Sequence, residues 1–464
     1  MPPRALIHSA VAAVLVIAAC TSSTDGPKST GSTSPAQGAT GPAGPAATTL
    51  VDWPTYHGTP DRHGVSTSMP TAIGNPKVRK SIKLDAAVYG SPIVVNHRII
   101  VATENNSVYA FDTFGRVLWH SNFGAPAHLS NLPCGNINPS GITGTPVYSA
   151  KTGLIYFVVE HDNPVRHTFV AIRWTSGLMQ FRIPLTLPGT SQDAMQQRGA
   201  LNLAGGRVWV AWGGRAGDCG NYKGRVMGIP ETGAGSSVIY TVPTTREAGI
   251  WTPPGPTYDS AGHLYVAVGN GESGVGDPYD FSDSVLELNT SAHLVSSFSP
   301  STWATDNAAD LDLGSQGPAL LHSYVFIAGK SGKGYVLKRD ALGGIGGQVS
   351  TADVCRSFGG TAVNGTTVYV PCDDGIRAIQ IDAAGTIHNL WHAGGSIRGA
   401  PVVGGGRIWS LDQNAGVLYG LNPSTGASVG QVSIGATTRF ATPALYGHLV
   451  LIGTLTGLTI VTTS

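Results

Sequence analysis

Short apolar stretches, separated by turn residues, recur along the chain from about residue 78 to its end. After Pro92 they occupy residues 93–95, 98–102, 108–111 and 117–120, with Asn or Gly in every gap. No stretch repeats its apolar residues at the spacing of three and four that an amphipathic helix requires. Stretches of this length bounded by turn residues are typical of β-strands. The pattern therefore predicts an all-β chain.

A short phrase marks the start of each group of strands: a small residue, then proline, then two or three mostly apolar residues. Clear or degenerate copies are centred on Pro92, Pro146, Ala200, Pro256, Pro318, Ala362, Pro401 and Pro443. Periods of about 40–50 residues with four strands each are typical of propeller blades. Proline suits the first position of a strand because its missing N–H is least needed there. We therefore predict one eight-bladed β-propeller of four-stranded antiparallel blades over residues 51–464, without a second domain.

The last repeat is incomplete, which predicts how the ring closes. Only 21 residues follow Pro443, enough for three strands. The β-rich segment 78–84 lies before the first repeat and belongs to none of them. We expect it to supply the missing fourth strand, so that N- and C-terminal strands close the ring and remove the exposed sheet edges.

Composition supports this fold class and excludes others. The 464 residues include 63 Gly and 30 Pro, and only 12% are charged. Hydrophobic residues reach 41%, which excludes wholesale disorder. Collagen is excluded because the sequence has no Gly-X-Y period. The 28 basic and 27 acidic residues leave a net charge of +1. Such a balance gives no field for steering nucleic acid, so we expect no nucleic-acid partner.

The first residues predict export. Arg4 precedes an apolar run at residues 10–19 that has the length of a signal-peptide core and is too short to span a bilayer. The tetrad ending at Cys20 resembles the bacterial lipobox, in which the cysteine becomes the lipidated first residue. We predict a signal peptide at 1–19, lipidation of Cys20 and a disordered tether of mostly Ser, Thr, Gly, Pro and Ala at 20–50. The protein would then face the outside of the cytoplasm and touch the membrane by its lipid alone; an ordinary secretory signal is the alternative.

Cysteine usage agrees with export. With Cys20 lipidated, four cysteines remain, which in an oxidising compartment suggest two disulfides with three possible connectivities. Cys355 and Cys372 enclose one short strand-turn-strand stretch, so we predict that they pair. Cys134 and Cys219 then pair by remainder. A metal-binding cysteine cluster is disfavoured because no C-x-x-C occurs.

One repeated motif resembles a known family. Residues 110–119, AFDTFGRVLW, are similar to the tryptophan-docking repeat of the quinoprotein alcohol dehydrogenases, with weaker copies at 171–181 and 420–426. The opening segment 52–58 is also similar to the start of those proteins, so the resemblance covers about residues 51–464. It implies that the aromatic residue of one blade packs against the next. Non-enzymatic relatives, including the propeller of the bacterial outer-membrane assembly machinery, carry the same repeat, so it indicates architecture rather than chemistry.

A more specific resemblance lies in the fourth and fifth blades. Trp251, Asn270, Asp312 and Lys330 resemble the cofactor site of the dehydrogenases in order and approximate spacing. The resemblance implies that Trp251 stacks under pyrroloquinoline quinone and that Asn270 binds Ca²⁺. It also implies that Asp312 is the general base and that Lys330 bonds the quinone oxygens. These roles are chemically coherent, because Ca²⁺ prefers oxygen ligands and a carboxylate can take the alcohol proton as hydride leaves.

Two departures from the family pattern affect this interpretation. The dehydrogenases cap the quinone with a disulfide between adjacent cysteines, whereas this chain has no Cys-Cys sequence. Their calcium site also takes a glutamate from the third blade, where this chain offers Asp218 as a shorter substitute. If Cys134 bonds Cys219, the resemblance places a cross-link between the second and third blades near the usual roof of the site.

Each candidate also has a purely structural interpretation. Trp251 suits a blade core, and Asn270 between two glycines suits a turn with positive φ. Asp312 suits a turn or a structural calcium site, and Lys330 a solvated loop.

Two functions remain open from the sequence. The first is an exported, lipid-anchored binding scaffold that recognises a cell-envelope protein, a peptide or a glycan through a partly altered central funnel. The second is a quinone- and calcium-dependent dehydrogenase acting on a small alcohol. In both cases we expect a monomer.

Overall fold

Strands make up almost all the regular structure of residues 49–464, the part of the chain that this computed structural model describes. Helical turns in this range are confined to Leu129–Asn131, Gln192–Ala194, Trp303–Ala308 and Leu313–Ser315. None of the helices described is long and apolar enough to cross a membrane. The predicted signal peptide, Cys20 and nearly all of the tether lie outside the described residues.

The strands form eight sheets that follow one another along the chain. Blades one to four consist, in chain order, of Ile93–Val95, Arg98–Ala102, Ser107–Phe111 and Val117–Asn122; Val147–Ser149, Leu154–His161, Arg166–Arg173 and Met179–Leu185; Asn202–Ala204, Arg207–Gly214, Arg225–Pro230 and Val238–Thr241; Thr257–Tyr258, His263–Val268, Ser284–Asn289 and Leu294–Ser299. Blades five to eight consist of Ala319–Leu320, Tyr324–Ala328, Lys333–Lys338 and Ser350–Asp353; Ala362–Asn364, Thr367–Cys372, Gly375–Ile381 and Ile387–Gly394; Val402–Gly404, Arg407–Asp412, Val417–Leu421 and Ser428–Ser433; Ala444–Tyr446, Leu449–Thr454, Gly457–Thr462 and Lys77–Lys83.

This architecture confirms the predicted eight-bladed, all-β propeller. Each innermost strand begins within two residues of its predicted anchor. Blades three and four carry one short addition each: Met195–Gln196 pairs with the end of Arg207–Gly214, and Gly344–Ile345 runs parallel to Leu294–Ser299. The sequence did not predict these two-residue strands, because they are too short to show a period.

The N-terminal strand Lys77–Lys83 closes the ring, as predicted, beginning one residue earlier than the segment inferred from sequence. It pairs antiparallel with Gly457–Thr462, with Lys77 opposite Thr462 and Lys83 opposite Gly457. The last blade therefore combines three strands from the end of the chain with one from its beginning.

The hydrophobic core lies between neighbouring blades. Tyr156 and Phe169 of blade two, for example, belong to one buried cluster with Val208, Val210 and Trp212 of blade three. Burying both faces of each sheet in this way removes apolar surface from water, which is the main favourable contribution to folding.

The docking motif packs as the resemblance implies. The Trp119 indole N–H donates to the Trp174 carbonyl 3.1 Å away in the next blade. Gly177 has φ +70°, and a Cβ there would lie 2.6 Å from the Trp119 ring, so only glycine fits. Trp391 repeats the contact, donating to the Pro423 carbonyl at 2.8 Å.

Two disulfides join separate parts of the ring, with the connectivity expected from the sequence. Cys355, which follows blade five, is bonded to Cys372 at the end of the second strand of blade six. Cys134 is bonded to Cys219. Cys134 lies in the connection between blades one and two, so this cross-link joins that connection to a loop of blade three.

An irregular segment, residues 53–66, lies against the innermost strands; we call it the inner segment. Its backbone exchanges hydrogen bonds with Val94 of blade one and then reaches the blades in turn. Further backbone or side-chain bonds join it to Tyr148, Leu201, Tyr258, Leu320, Val363, Val403 and Thr442. One partner therefore comes from, or lies directly before, the innermost strand of every blade.

Candidate functional site

The predicted site residues all line one cavity of roughly 540 Å³ at one end of the ring: Asp218, Trp251, Asn270, Asp312 and Lys330. Asn270 and Lys330 lie two residues after the second strands of blades four and five. The inner segment bonds to the innermost strands near the turns that lead into those second strands. It therefore lies toward the opposite end of the ring from the cavity.

Glycines allow Trp251 and Asp312 to approach each other. A Cβ at Gly213 would lie 2.8 Å from the Cβ of Trp251. A Cβ at Gly269 would lie 3.0 Å from both the Trp251 Nε1 and the Asp312 Oδ2 atoms. The indole N–H and the carboxylate therefore both lie over Gly269, where a larger residue would displace them.

Asp312 and Lys330 form a buried ion pair. The Lys330 Nζ atom lies 2.6 Å from Oδ1 of Asp312 and 2.5 Å from Oδ1 of Asp310. The Asp312 side chain is 1% exposed, whereas that of Asp310 is 70% exposed. Burial raises the pKa of Asp312, and the charge of Lys330 opposes that rise. Burial would by itself lower the pKa of Lys330, but Asp312 and Asp310 outweigh it and raise that pKa.

Another carboxylate lies behind this pair. Asp283 is buried, and its Oδ1 accepts a hydrogen bond from the Leu313 backbone N–H at 2.5 Å. Burial raises the pKa of Asp283 well above its usual range, and the nearby charge of Asp312 adds to the rise. The single ammonium group of Lys330 therefore lies near three carboxyl groups, those of Asp283, Asp310 and Asp312.

Asn270 is oriented by Asp310. Its Nδ2 donates to Oδ1 of Asp310 at 2.8 Å, and its buried Oδ1 has no hydrogen-bond donor in the described part of the chain. Asn270 is not among the residues with positive φ, so the interpretation of this position as a left-handed turn residue is wrong. The amide oxygen of Asn270 is therefore an unpartnered acceptor beside the cavity, but it is covered by protein atoms.

Asp218 lies on the blade-three side of the cavity beside Cys219. Its Oδ1 accepts a hydrogen bond from the Tyr222 hydroxyl at 2.6 Å. Burial, followed by the Asp218 charge, raises the pKa of Tyr222. Residues 216 and 218, next to the Cys134–Cys219 bond, line the cavity, so this disulfide lies at the cavity rim.

Sequence reasoning missed Glu247. It lines the cavity, has φ +70°, and forms backbone bridges to Lys223 and Gly271. Burial raises its pKa, although the Arg246 guanidinium 2.6 Å away opposes the rise. The adjacent Arg246 and Glu247 resemble an ordinary surface pair in the sequence, which gave no signal of a cavity position.

The sequence also gave no signal of a basic and aromatic side of the cavity. Arg198, Arg356, Phe358, Arg439 and Phe440 line it, and they come from three separate connections between blades. The Phe440 ring lies edge-on to Trp251 with 6.1 Å between ring centroids. The cavity therefore has an acidic side, formed by blades three to five, and a basic side, formed by these three connections.

Calcium does not fit the residues as they are arranged. Asn270 Oδ1 is an unpartnered but buried oxygen, and the adjacent carboxylates of Asp310 and Asp312 are both within ion-pair distance of Lys330. Within residues 49–464, no group of three or more His, Cys, Asp or Glu side chains is arranged to hold a metal ion. A hard divalent cation needs several oxygen ligands, and here Lys330 holds the position that would bring them together.

Solved structures with a similar fold include two quinohemoprotein alcohol dehydrogenases and BamB. The dehydrogenase ADHIIG from Pseudomonas putida HK5 matches with a TM-score of 0.69 and 14% identity, over 89% of this chain and 80% of that one. The quinohemoprotein alcohol dehydrogenase from Comamonas testosteroni gives a TM-score of 0.68 at 14% identity, over the same shares of the two chains. BamB from Moraxella catarrhalis gives 0.58 at 16% identity, over 84% of this chain and 100% of that one.

These similarities establish the propeller fold and no activity, because all three identities are below 25%. No family model and no curated protein sequence matches the chain.

Proposed function

We propose that this protein is an exported, lipid-anchored binding propeller whose central cavity recognises a ligand presented in the cell envelope. The ligand would be part of a protein, a peptide or a glycan. Two disulfides within residues 49–464 are compatible with an oxidising compartment. The cavity, roughly 540 Å³ in volume, has the size of an ordinary ligand site.

The ion pair of Asp312 with Lys330 carries this proposal. A general base must be free to accept a proton from its substrate, whereas Asp312 is buried and forms an ion pair with an ammonium group. The same ammonium also contacts Asp310, so both carboxylates that would bind a metal are already paired with a cation of the protein itself. A site whose carboxylates are paired in this way is suited to binding rather than to metal-assisted oxidation.

A quinone- and calcium-dependent alcohol dehydrogenase is the second candidate. The meeting of Trp251, Asn270, Asp312 and Lys330 in one cavity favours it. When bound, pyrroloquinoline quinone would supply the hydride acceptor. Trp251 would provide a stacking surface and Asp312 would hold the alcohol proton, but only after Lys330 had moved from the carboxylates.

One experiment separates the two functions. The purified protein is mixed with pyrroloquinoline quinone and Ca²⁺, and its absorption spectrum, melting temperature and alcohol-dependent dye reduction are measured. The binding proposal predicts no dye reduction. Calcium-dependent quinone binding, with dye reduction that disappears in Asp312→Asn, would overturn it in favour of the dehydrogenase. Asp353→Asn is the matched control, because Asp353 pairs with Lys333 on the surface.

A further inference from the structure

Three arginines and two phenylalanines alternate along the basic side of the cavity; we call them the arginine belt. The guanidinium carbon of Arg198 lies 4.3 Å from the Phe440 ring centroid, and that of Arg439 lies 5.5 Å from the same centroid. Arg439 also lies 4.2 Å from the centroid of Phe358, which Arg356 approaches to 5.6 Å. The rings therefore hold three positive charges next to one another.

These charges exceed the negative charges near them. Among the described residues, Asp373 is the one carboxylate within 4.0 Å of the belt, 3.6 Å from Arg356 and 3.8 Å from Arg439. Arg198 forms no hydrogen bond or ion pair with any of the described residues, although it is half-buried. Burial lowers the pKa of Arg198 to about 10; Tyr89 and Glu104 oppose that fall, and the charge of Arg439 adds to it. Among the described residues, a single carboxylate therefore lies within ion-pair distance of the three guanidinium groups.

The arginine belt contributes little to the stability of the fold. Side chains of Arg356 and Arg439 are 49% and 59% exposed, and cation–π contacts at exposed sites contribute little. Placing like charges around shared rings opposes folding. By contrast, Arg98 stacks on Trp174 at 4.8 Å as an isolated pair and donates to the Thr175 carbonyl at 2.6 Å.

The belt also borders two adjoining cavities. Phe358, Arg439 and Phe440 line both the central cavity and a neighbouring one of roughly 230 Å³. A ligand in the central cavity would therefore pass the guanidinium groups wherever it extended toward blades six to eight. Guanidinium groups are planar forks that match carboxylate and phosphate oxygens, and they are weakly hydrated.

We propose that the arginine belt binds an oxyanion, a carboxylate or a phosphate, carried by the ligand of the central cavity. This inference rests on the proposed binding function and specifies its ligand as an organic anion. Arg198, which stacks on Phe440 but has no hydrogen-bond or ion-pair partner among the described residues, makes the principal contact, and Arg439 the second. Phe440 keeps the two guanidinium groups apart and oriented.

Three sugars with the same ring distinguish the charge from the body of the ligand: glucuronate, glucose 6-phosphate and glucose. Binding to the full chain is measured by ligand-observed NMR and calorimetry at low ionic strength. We expect the two charged sugars to bind and glucose to bind at least about tenfold more weakly. Binding should weaken as salt is added. The ratio of the two charged sugars tells whether the natural anion is a carboxylate or a phosphate.

Variants test whether the belt is responsible. Arg198→Gln and Arg439→Gln should each weaken binding of the charged sugars at least about tenfold. Arg98→Gln, the matched control, removes a stacked arginine that lines neither cavity and should leave binding unchanged. Equal binding of glucose and the charged sugars, no binding of either charged sugar, or wild-type affinity in both belt variants would each overturn the inference.

The outcome is independent of the cofactor experiment. Dye reduction with quinone and Ca²⁺ would overturn the proposed binding function, yet loss of anion binding in Arg198→Gln would still support the belt. Conversely, an inactive protein that ignored both charged sugars would leave the binding function standing and remove the belt from it.

Discussion

The Lys330 Nζ atom lies 2.6 Å from Oδ1 of an Asp312 side chain that is 1% exposed. Taking two charges out of water is unfavourable, and their attraction compensates only where the geometry is good. Breaking such a pair from one side leaves a buried, uncompensated charge. The pair is therefore a sensitive point of the molecule whichever function the cavity has.

Lys330→Met should destabilise the protein by about 3–5 kcal/mol at pH 7, because it leaves Asp312 buried without its partner. Lys333→Met is the matched control. Lys333 pairs with Asp353 at 2.5 Å, but the two side chains are 50% and 86% exposed, so its loss should have little effect. Denaturant unfolding measures both variants, and equal losses would contradict the assigned role of Lys330.

The same variant has a predictable pH dependence. Burial raises the pKa of Asp312, and losing Lys330 raises it further. A carboxyl whose folded-state pKa is raised favours the folded state at low pH and loses that contribution as pH rises through the folded-state pKa. The deficit of Lys330→Met should therefore shrink as the pH is lowered from 7. A constant deficit would show that Asp312 is not the group left unpaired.

Glu104→Gln should flatten the pH dependence of stability. Glu104 is 1% exposed, and burial raises its pKa to about 8. One carboxyl oxygen accepts from the Gly141 N–H at 2.6 Å, and the other has no donor among the described residues. Its stabilising contribution is complete below the unfolded-state pKa of 4.5 and is lost as pH rises through about 8.

Melting temperatures of wild type and Glu104→Gln between pH 5 and 9 test this prediction. The wild-type value should fall across that range more steeply than the variant's. Glu272→Gln, at a side chain that is 52% exposed, should keep the wild-type slope. Parallel curves for all three proteins would contradict it.

Removing the two disulfides separately should have unequal effects. Cys134–Cys219 spans 85 positions and Cys355–Cys372 spans 17. Chain-entropy arguments give roughly 4.5 and 3 kcal/mol of stabilisation for loops of these lengths. Replacing each pair with serine and measuring denaturant unfolding should show the larger loss for the longer loop; the reverse order would contradict this account.

Ring closure can be tested with two truncated chains. A chain starting at residue 86 lacks both the inner segment and Lys77–Lys83, so the strand Gly457–Thr462 is left as an open sheet edge. We expect a much lower melting temperature and aggregation. A chain starting at residue 49 keeps every described contact and should melt like the full chain. Equal melting of the two would exclude closure as a source of stability.

Lipid anchoring remains a prediction that rests on sequence. Cys20→Ala should release the protein from membranes into the medium, because the acceptor of the lipid is lost. Cell fractionation and labelling with a radioactive or clickable fatty acid measure this directly. If the alanine variant stays with the membranes, anchoring through Cys20 is wrong.

Sequence reasoning predicted the architecture well because its signals are local and repeated. Each innermost strand lies next to a short phrase such as that around Pro92, and each strand carries its own apolar pattern. The closing strand was also predictable, since the count of strands after Pro443 was one short. Only the two-residue additions to blades three and four lacked such a signal.

The cavity was predictable in part. Trp251, Asn270, Asp312 and Lys330 were found through a resemblance in order and spacing, and they do lie together. Glu247 and the arginine belt were not found. Arg198 and Arg439 are 241 positions apart in the sequence and meet only because the ring is closed. A ring of blades brings together the connections between blades, and the connections have no period of their own.

The inner segment has a consequence for the order in which the chain folds. The Tyr56 hydroxyl is bonded to the Thr442 side chain, 386 positions away, at 3.1 Å. The inner segment is synthesised before any blade, but it cannot complete its contacts until nearly the whole chain has been synthesised. Contacts so distant in sequence are associated with slow folding. The time this chain spends with open strand edges should be set by the closing of the ring rather than by the folding of any single blade.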